Sequence, residues 1–367
     1  ARSLPVPGTA TPGRQPLPGE HGFRYFSRFY RHLPDTMKRI PYGKKSVFDN
    51  LIQLPYLEMT ASDPTKLPLI MPAGFPQTIR QLLTLLWTSS HAQATMQLAP
   101  GELSYFTQKV YELLTSANLR RLAELEKYVW WDYLGAGTRS AGYQAFLARG
   151  LSETLVAADP TVANTKVEGD FALQQILALV TPGISNDRVL NGPTNDVFIN
   201  PWITYLTQKG VLYNLDTKVT KISCDGKVIT SITVEHGGTE VEVTGDYYLA
   251  AVPVEKMAEL VVTDPNILKA DPTLSGIVDL ANSTAWMNGI MFYLTEDVRI
   301  LRGHVLGAMT PWALTAISQA QTWPRVNFNN YGDGTVKTII SVDISDWDEP
   351  GTLFWDPGKG RYKTAKE

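Results

Sequence analysis

The sequence predicts a mixed fold of helices and strands, of the α/β or α+β class. Apolar residues recur at three- and four-residue spacing through much of the first half of the chain, which is typical of amphipathic helices. The second half then opens on a long stretch rich in β-branched residues and turn signals, which is typical of a β-meander. Helices are followed by a meander, one more helix and further strands, so neither an uninterrupted βαβ series nor an all-β fold is indicated.

The helical part begins after an opening rich in Pro and Gly. The stretch "SRFYRHLPDTMKRI" predicts a short helix that Pro34 breaks. The longer helices predicted from apolar spacing span 76–98, 104–134, 141–158 and 170–181. The segment "FPQTIRQLLTLLW" (75–87) has two interpretations, a buried core helix, which we favour, or a helix that docks on lipid.

The meander covers residues 211–253, and its turns are predicted at Asp225-Gly226 and Gly237-Gly238. The single cysteine, Cys224, lies in this stretch and is interpreted as a small packed residue rather than a nucleophile. A helix is predicted at 254–260. The remaining predicted strands span 285–294, 303–308 and 337–343.

Bulk properties narrow the class of function. A chain of 367 residues is long enough for two domains or for one large domain with a lobe. Its net charge of −3 gives no basic footprint for nucleic acid, and its five His show no metal-ligand spacing, so no metal is predicted. One cysteine favours a reducing, cytoplasmic location. No segment has the unbroken apolar length that a membrane span needs.

The meander also carries a recognisable pattern. A helix, "PWITYLTQKGV", ends at Gly210, a strand of the form x-T-x-V-x-x-I follows, and the hairpin after it ends in "GDYYLAAVPVEKMAEL". This arrangement resembles the central segment of the flavin amine oxidase and carotenoid (phytoene) desaturase superfamily. The positions that match the family pattern are Thr217, Val219, Ile222, Asp246, Ala251 and Pro253.

A second stretch fits the same family. "GEHGFRYFSRFY" (19–30) resembles, slightly shifted, the G-x-H-x-F-x-x-x-Y loop that runs beside the flavin in carotenoid desaturases. Further strings, among them "LPDTMKRIPYG", "GPTNDVFINPW" and "SVDISDWDEPG", resemble the bacterial hydroxysqualene dehydroxylase-like branch. The resemblance covers most of the chain, although the N-terminal GxGxxG turn and the C-terminal FAD segment of the family have no counterpart in it.

The resemblance implies the central portion of a two-domain, Rossmann-like flavoprotein with FAD as its cofactor. It divides the chain into four segments. They are 1–75, part of the FAD-binding domain with the flavin-facing loop; 76–200, a helical part of the substrate domain; 201–262, the meander returning to the FAD-binding domain; and 263–367, the substrate-domain sheet and its connections. A companion polypeptide is expected to supply the missing FAD-binding segments.

The resemblance also assigns candidate site residues. Those expected to touch the cofactor are Arg2, Ser3, His21, Gly22, Phe23, Arg24, Val219, Ala251 and Pro253. The aromatic residues expected to line a substrate pocket are Trp286, Phe292, Tyr293 and Trp312, with core packing as the alternative for each. His21 and His304 are the catalytic candidates, because an imidazole titrates near neutral pH. For His304, the alternative is a strand histidine that is only hydrogen-bonded, and for His21 it is a residue that caps a turn.

The function implied is that of an FAD-dependent oxidoreductase, an enzyme of the desaturase or dehydrogenase type that transfers hydride from substrate to flavin. Aromatic and Met residues on the predicted pocket strands favour a bulky apolar substrate, isoprenoid or lipid-like, and peripheral contact with a membrane would suit such a substrate. Two alternatives stay open: an amine or amino-acid oxidase of the flavin amine oxidase family, and a non-catalytic scaffold subunit of a split flavoprotein.

Overall fold

The structure is a computed structural model that describes residues 3–20, 25–63, 65–183 and 185–367. The chain forms two compact units. The large unit contains Ala1–Tyr205 together with Met287–Glu367, and the small unit contains Leu206–Trp286.

Helices dominate the first half of the large unit, as the apolar spacing predicts. The α-helices of the described residues are, in chain order, α1 (His32–Arg39), α2 (Ile79–Met96), α3 (Glu102–Thr115), α4 (Asn118–Ala123), α5 (Trp130–Tyr133), α6 (Leu151–Val156), α7 (Thr165–Val180), α8 (Asn200–Gln208), α9 (Val254–Val261), α10 (Pro265–Ala270), α11 (Ser275–Ala281) and α12 (Gln319–Thr322). Wider π-helical turns at Tyr143–Gly150 and Asn195–Ile199 lead directly into α6 and α8.

The strands form several separate sheets. In chain order they are β1 (Ser3–Pro5), β2 (Pro18–Glu20), β3 (Pro41–Tyr42), β4 (Lys45–Ser46), β5 (Leu51–Gln53), β6 (Tyr56–Ala61), β7 (Leu69–Pro72), β8 (Arg188–Leu190), β9 (Thr217–Cys224), β10 (Ile229–His236), β11 (Thr239–Val243), β12 (Asn288–Leu294), β13 (Gly303–Met309), β14 (Leu314–Ser318), β15 (Thr338–Ile344), β16 (Pro350–Asp356) and β17 (Arg361–Thr364).

The main sheet of the large unit has six strands in the order β12-β15-β14-β13-β6-β7. Every neighbouring pair is antiparallel except β13 and β6, which run parallel with Gly303 opposite Tyr56 and His304 opposite Leu57. The predicted strands at 303–308 and 337–343 are therefore confirmed. The predicted strand at 285–294 begins only at Asn288.

A layer of helices packs over one part of this sheet. The largest apolar cluster joins Leu306 and Ala308 of β13 and Met59 of β6 to helical residues such as Leu113 and Tyr143. The helix that starts with the π-helical turn comes especially close to β13, because a Cβ on Gly150 would lie 2.3 Å from the carbonyl oxygen of Ala308. The glycine therefore sets how closely this helix approaches the sheet.

The small unit contains the predicted meander. Strands β9, β10 and β11 form an antiparallel sheet in the order β11-β10-β9. The turn between β10 and β11 contains Gly237 and Gly238, both with positive φ (58° and 78°), as a tight hairpin turn requires. Cys224 is buried against Leu260 and Val261 of α9, in agreement with its interpretation as a packed residue.

Three helix predictions need correction. Pro34 does not break α1, because it lies in the first turn, where its missing N–H has no helical acceptor to lose. The predicted helix 104–134 is divided into shorter helices. Its first break follows α3, where the Arg121 guanidinium donates to the carbonyl oxygens of Leu113 and Ser116 and stabilises the helix end there.

The third correction concerns α2, for which a buried core helix was favoured. The helix turns Thr88 and Thr95 inward and exposes Ile79, Leu83 and Trp87 on one face. The hydroxyl of Thr88 donates to the Ile70 carbonyl of β7, so the polar side of the helix faces the sheet. Apolar spacing alone predicts the helix but not which of its faces is buried.

Candidate functional site

An apolar cavity of about 160 Å³ lies in the large unit between the six-stranded sheet and the helices that cover it. Strands β6, β7 and β13 contribute to one wall, and α7 runs along another. Most lining side chains are aliphatic or aromatic. The polar and titratable lining residues are Tyr25, Ser152, Glu168, Gln175, Asn186, Asp187 and His304.

A buried histidine–carboxylate pair stands in the wall of this cavity. His304 is the second residue of β13, an interior strand, and only 1% of it is exposed. Its Nδ1 lies 2.7 Å from Oδ2 of Asp187, which is also buried. The Tyr25 ring meets the His304 ring edge-on, with 6.1 Å between ring centroids. The imidazole is therefore held in one orientation by the sheet, the carboxylate and an aromatic neighbour.

The loop that carries Asp187 is anchored by its own backbone. The Asp187 N–H donates to the Ser185 hydroxyl at 3.1 Å, and the Asp187 carbonyl accepts from the Leu54 N–H at 2.9 Å. One residue later, the buried Arg188 guanidinium donates to the carbonyl oxygens of Phe26 and Ser27 at 3.0 and 2.6 Å. Burial lowers the pKa of Arg188, yet arginine stays charged at any ordinary pH.

A network of amides continues from this pair. The Tyr25 hydroxyl donates to Oε1 of Gln175 at 3.0 Å and accepts from Nδ2 of Asn186 at 2.8 Å. Oδ1 of Asn186 accepts from the Ser27 hydroxyl at 2.9 Å. Burial raises the pKa of Tyr25, so its phenol stays neutral and keeps its proton for this network.

A second polar group lies farther along α7. Glu168 and Gln175 both line the cavity, and seven residues of helix separate them by about 10 Å along the axis. Burial raises the pKa of Glu168, opposed by a hydrogen bond with Ser152. Phe171, Ala172 and Ile176 lie on the same face between and beside them. The cavity thus has an apolar middle and a polar group at two positions along one helix.

Of the predicted catalytic candidates, His304 lies in the cavity wall, and His21 falls outside the described residues together with Arg2, Gly22, Phe23 and Arg24. Ser3 is buried in β1, where its backbone N–H and C=O bind the Asn195 side chain and its hydroxyl accepts from the Asn195 N–H. In the small unit, Val219 is half-buried in β9, and Ala251 and Pro253 are exposed just before α9. Their role at a cofactor stays a prediction.

The four aromatic residues predicted for a substrate pocket are dispersed. Phe292 is half-exposed on the edge strand β12, and the neighbouring Tyr293 points the other way and donates its hydroxyl to the Pro18 carbonyl at 2.9 Å. Trp312 lines a different cavity, of about 320 Å³, beside Leu353 and Phe354 of β16. Trp286 is exposed at the end of the small unit. None of them is among the described residues that line the apolar cavity.

Apart from His304, sequence reasoning named none of the polar residues that line the cavity as site residues. Those missed are Tyr25, Ser152, Glu168, Gln175, Asn186 and Asp187. One signal was present in the sequence: Gln175 interrupts the apolar face of the helix predicted at 170–181, where a solvated polar residue is not expected. Glu168 lies before that predicted helix, which in the structure begins earlier, at Thr165. Asn186 and Asp187 gave no comparable signal, because an Asn-Asp pair in a loop is usually explained by turn formation.

Glu153, a largely buried carboxyl, directly follows the cavity-lining residue Ser152 and should make the stability of the protein depend on pH. Glu153 of α6 is 3.3 Å from the Arg149 guanidinium, and 12% of its side chain is exposed. Burial raises its pKa from 4.5 to about 7. The folded protein therefore holds this proton more tightly than the unfolded chain, so the stabilising contribution is present below pH 4.5 and is lost as the pH rises through about 7.

We expect Glu153→Gln to be more stable than the parent protein at pH 8, by up to about 3 kcal/mol, and to match it near pH 4.5. The free energy of unfolding, measured by urea denaturation at both values, checks this. Glu126→Gln, which removes an exposed carboxylate, controls for the general effect of losing one negative charge. If the free energy of unfolding changed by the same amount between pH 4.5 and pH 8 in the parent protein and in Glu153→Gln, the raised pKa of Glu153 would be contradicted.

The comparisons with known proteins identify the fold but no family. A scan against protein-family models and a search of curated proteins both find no match. Among solved structures, the chain is similar to an oxidoreductase from Methanosarcina mazei, with a TM-score of 0.56 at 11% identity over 94% of this chain and 70% of that one. A putrescine oxidase variant from a redesign of cofactor binding matches with a TM-score of 0.47 at 13% identity, over 92% and 67%.

The first likeness confirms the predicted fold class: the chain has the mixed α/β fold of this oxidoreductase across nearly its whole length. Two further findings concern the described residues. No helix among them is long and apolar enough to cross a membrane. Within the same ranges, no group of three or more His, Cys, Asp or Glu side chains is placed to hold a metal ion.

Proposed function

We propose that this chain is the central part of an FAD-dependent oxidoreductase whose substrate is held in the apolar cavity of the large unit. The observation that carries the proposal is that cavity: a largely apolar space with a buried, oriented His304–Asp187 pair in its wall. Concave apolar sites with a few converging polar groups are the usual form of a small-molecule site. The oxidoreductase fold favours redox chemistry but does not by itself assign it.

The residues proposed to hold FAD in the small unit suit close approach by a flat cofactor. Ala251 and Pro253 are small and exposed, and residues 247–250 lie outside helices and strands, so their backbone groups are accessible to a ligand. Val219 packs its side chain partly on the cluster of Ile222 and Leu260, so its contact with a cofactor would use the backbone. FAD, when bound, supplies the acceptor for a hydride; the chain supplies orientation and the exclusion of water.

The size of the cavity limits the substrate. An engineered apolar cavity of about 150 Å³ binds benzene, so a space of this size suits a ligand of about six to ten non-hydrogen atoms. A longer isoprenoid would place only one segment there. Within the proposed desaturase or dehydrogenase chemistry, the cavity therefore favours a compact apolar substrate or the end of a larger one.

Exposed apolar segments of the small unit support the proposed companion polypeptide. Leu212, Tyr247 and Leu249 are each more than four-fifths exposed, in stretches that flank the meander. Extended apolar segments without cover are a liability that proteins normally bury against another chain or segment. The exposed apolar face of α2 is compatible with the predicted peripheral membrane contact, which remains a prediction.

Absorption spectroscopy tests the cofactor. We expect the purified assembly of this chain with its companion polypeptide to show the bands of a bound oxidised flavin near 375 and 450 nm, roughly where flavins absorb. Anaerobic addition of substrate should bleach the band at about 450 nm. Bleaching by apolar compounds and not by amines supports desaturase or dehydrogenase chemistry, and the reverse supports the amine oxidase alternative. An assembly that neither contains nor takes up flavin would favour a scaffold subunit and contradict the proposal.

A further inference from the structure

Two buried polar atoms in the cavity wall have no hydrogen-bond partner among the described residues. One is Oδ1 of Asp187, an acceptor, and the other is Nε2 of Gln175, a donor. Both residues line the cavity, and Asp187 is only 4% exposed. Leaving such groups buried and unsatisfied is costly, so native proteins rarely do so without a ligand or a function that uses them.

The identity of the unsatisfied Gln175 atom follows from fixed backbone donors. The Arg28 backbone N–H donates to Oδ1 of Asn186 at 3.3 Å, and a backbone N–H can only donate. This assigns the other end of the Asn186 amide, Nδ2, as the donor toward Gln175. The Gln175 atom that accepts must then be Oε1, which also accepts from the Tyr25 hydroxyl. Its NH₂ group is therefore the one that remains for a ligand.

The unsatisfied oxygen of Asp187 is equally well defined. Its other oxygen, Oδ2, is engaged by Nδ1 of His304 at 2.7 Å. Asn186 directly precedes Asp187 in the same loop and is bonded to Gln175, so the acceptor and the donor belong to neighbouring parts of one network. Two residues that line the same apolar cavity thus carry one acceptor and one N–H donor that no described protein group satisfies.

We propose that the cavity binds a compact apolar alcohol, whose hydroxyl donates to Oδ1 of Asp187 and accepts from Nε2 of Gln175. The apolar body of the ligand would lie along α7 toward Glu168, against Phe171 and Ile176. This inference rests on the proposed function and deepens it, because it names the substrate class for the same cavity.

A hydroxyl fits this pair better than the groups that compete with it. A hydroxyl is at once a donor and an acceptor, so it satisfies both atoms. An ammonium has donors only, so it would satisfy Asp187 and place its charge against the N–H of Gln175. A hydrocarbon would fill the space but leave both polar atoms without a partner.

A matched ligand series tests the preference directly. We expect calorimetric titration of the protein to show tightest binding for cyclohexylmethanol, with cyclohexylmethylamine and ethylcyclohexane, which are similar in size, at least about tenfold weaker. No flavin is needed for this measurement. Equal or tighter binding of the hydrocarbon or the amine, or no binding of the alcohol, would overturn the proposal.

A single substitution should invert the preference. Gln175→Glu keeps the shape of the side chain and its accepting oxygen but exchanges the NH₂ donor for an oxygen beside Asp187. We expect it to weaken binding of cyclohexylmethanol at least about tenfold and to strengthen binding of cyclohexylmethylamine. Gln174→Glu, one residue earlier on the exposed face of α7, is the matched control and should change neither affinity. An unchanged order of affinities in a folded Gln175→Glu protein would contradict the assignment.

The two proposals fail separately. Loss of the flavin proposal appears as a colourless assembly that takes up no FAD, whatever the cavity binds. Loss of the alcohol proposal appears in the ligand series, whether or not flavin is present. If Gln175→Glu does not fold, the ligand series with the parent protein still decides the alcohol proposal.

Discussion

Gly303→Ala is expected to prevent the large unit from folding normally. Gly303 is the first residue of β13 and lies opposite Tyr56 in the parallel pairing with β6. A Cβ at this position would lie 1.8 Å from the Tyr56 carbonyl oxygen and 2.8 Å from the carbonyl carbon. Both are backbone atoms, so no rotation of a side chain relieves the overlap. Only separation of the two strands would, and that breaks the ladder next to His304.

The expected cost is at least about 3 kcal/mol, at the upper end of what overpacking usually produces. Urea denaturation followed by tryptophan fluorescence measures it, and soluble yield gives a first indication. Gly137→Ala is the matched control in the same unit, because a Cβ there would meet its nearest neighbour, Nε1 of Trp131, at an ordinary 3.5 Å. A Gly303→Ala protein as stable as Gly137→Ala would show that β13 and β6 are not paired in this register.

This close approach illustrates what the sequence can and cannot predict about the fold. The period of apolar residues predicts that 303–308 is a strand and 170–181 part of a helix, because each period reflects local backbone geometry. It does not predict that β13 pairs in parallel with β6, which lies far earlier in the chain, since nothing local in either strand encodes the partner. Gly303 is explained only once that partner is known.

The same distinction applies to the exposed and buried faces of helices. In α2, the apolar spacing is real but faces outward, whereas small polar residues such as Thr88 face the sheet. A sequence pattern reports that a face is apolar, and burial depends on what the rest of the chain places against it. The helix was therefore predictable and its orientation was not.

The sequence allowed one residue of the candidate site, His304, to be predicted, but not the residues that surround it. His304 was singled out because histidine titrates near neutral pH, and the structure places it in the cavity wall. Its partner Asp187 is 117 residues earlier in the chain, in a loop with no catalytic motif. Long-range pairs of this kind are brought together by the sheet and not by sequence spacing, so only the folded chain reveals them.

His304→Ala is expected to be strongly destabilising, because it leaves the Asp187 carboxylate buried next to an empty space. Both side chains are almost completely buried, at 1% and 5% exposure. Removing one partner of a buried pair typically costs about 3–5 kcal/mol, since the remaining charged group loses its partner without regaining water. His32→Ala, on the exposed start of α1, is the control and should change the free energy of unfolding by less than about 0.5 kcal/mol.

The double variant His304→Ala, Asp187→Asn separates this electrostatic cause from loss of packing. If the cost comes mainly from an uncompensated carboxylate, exchanging it for a neutral amide should make the double variant more stable than His304→Ala alone, by about 1–2 kcal/mol. Urea denaturation of the four proteins of this cycle, parent included, measures the coupling. A double variant no more stable than His304→Ala would mean that the imidazole acts there as packing only.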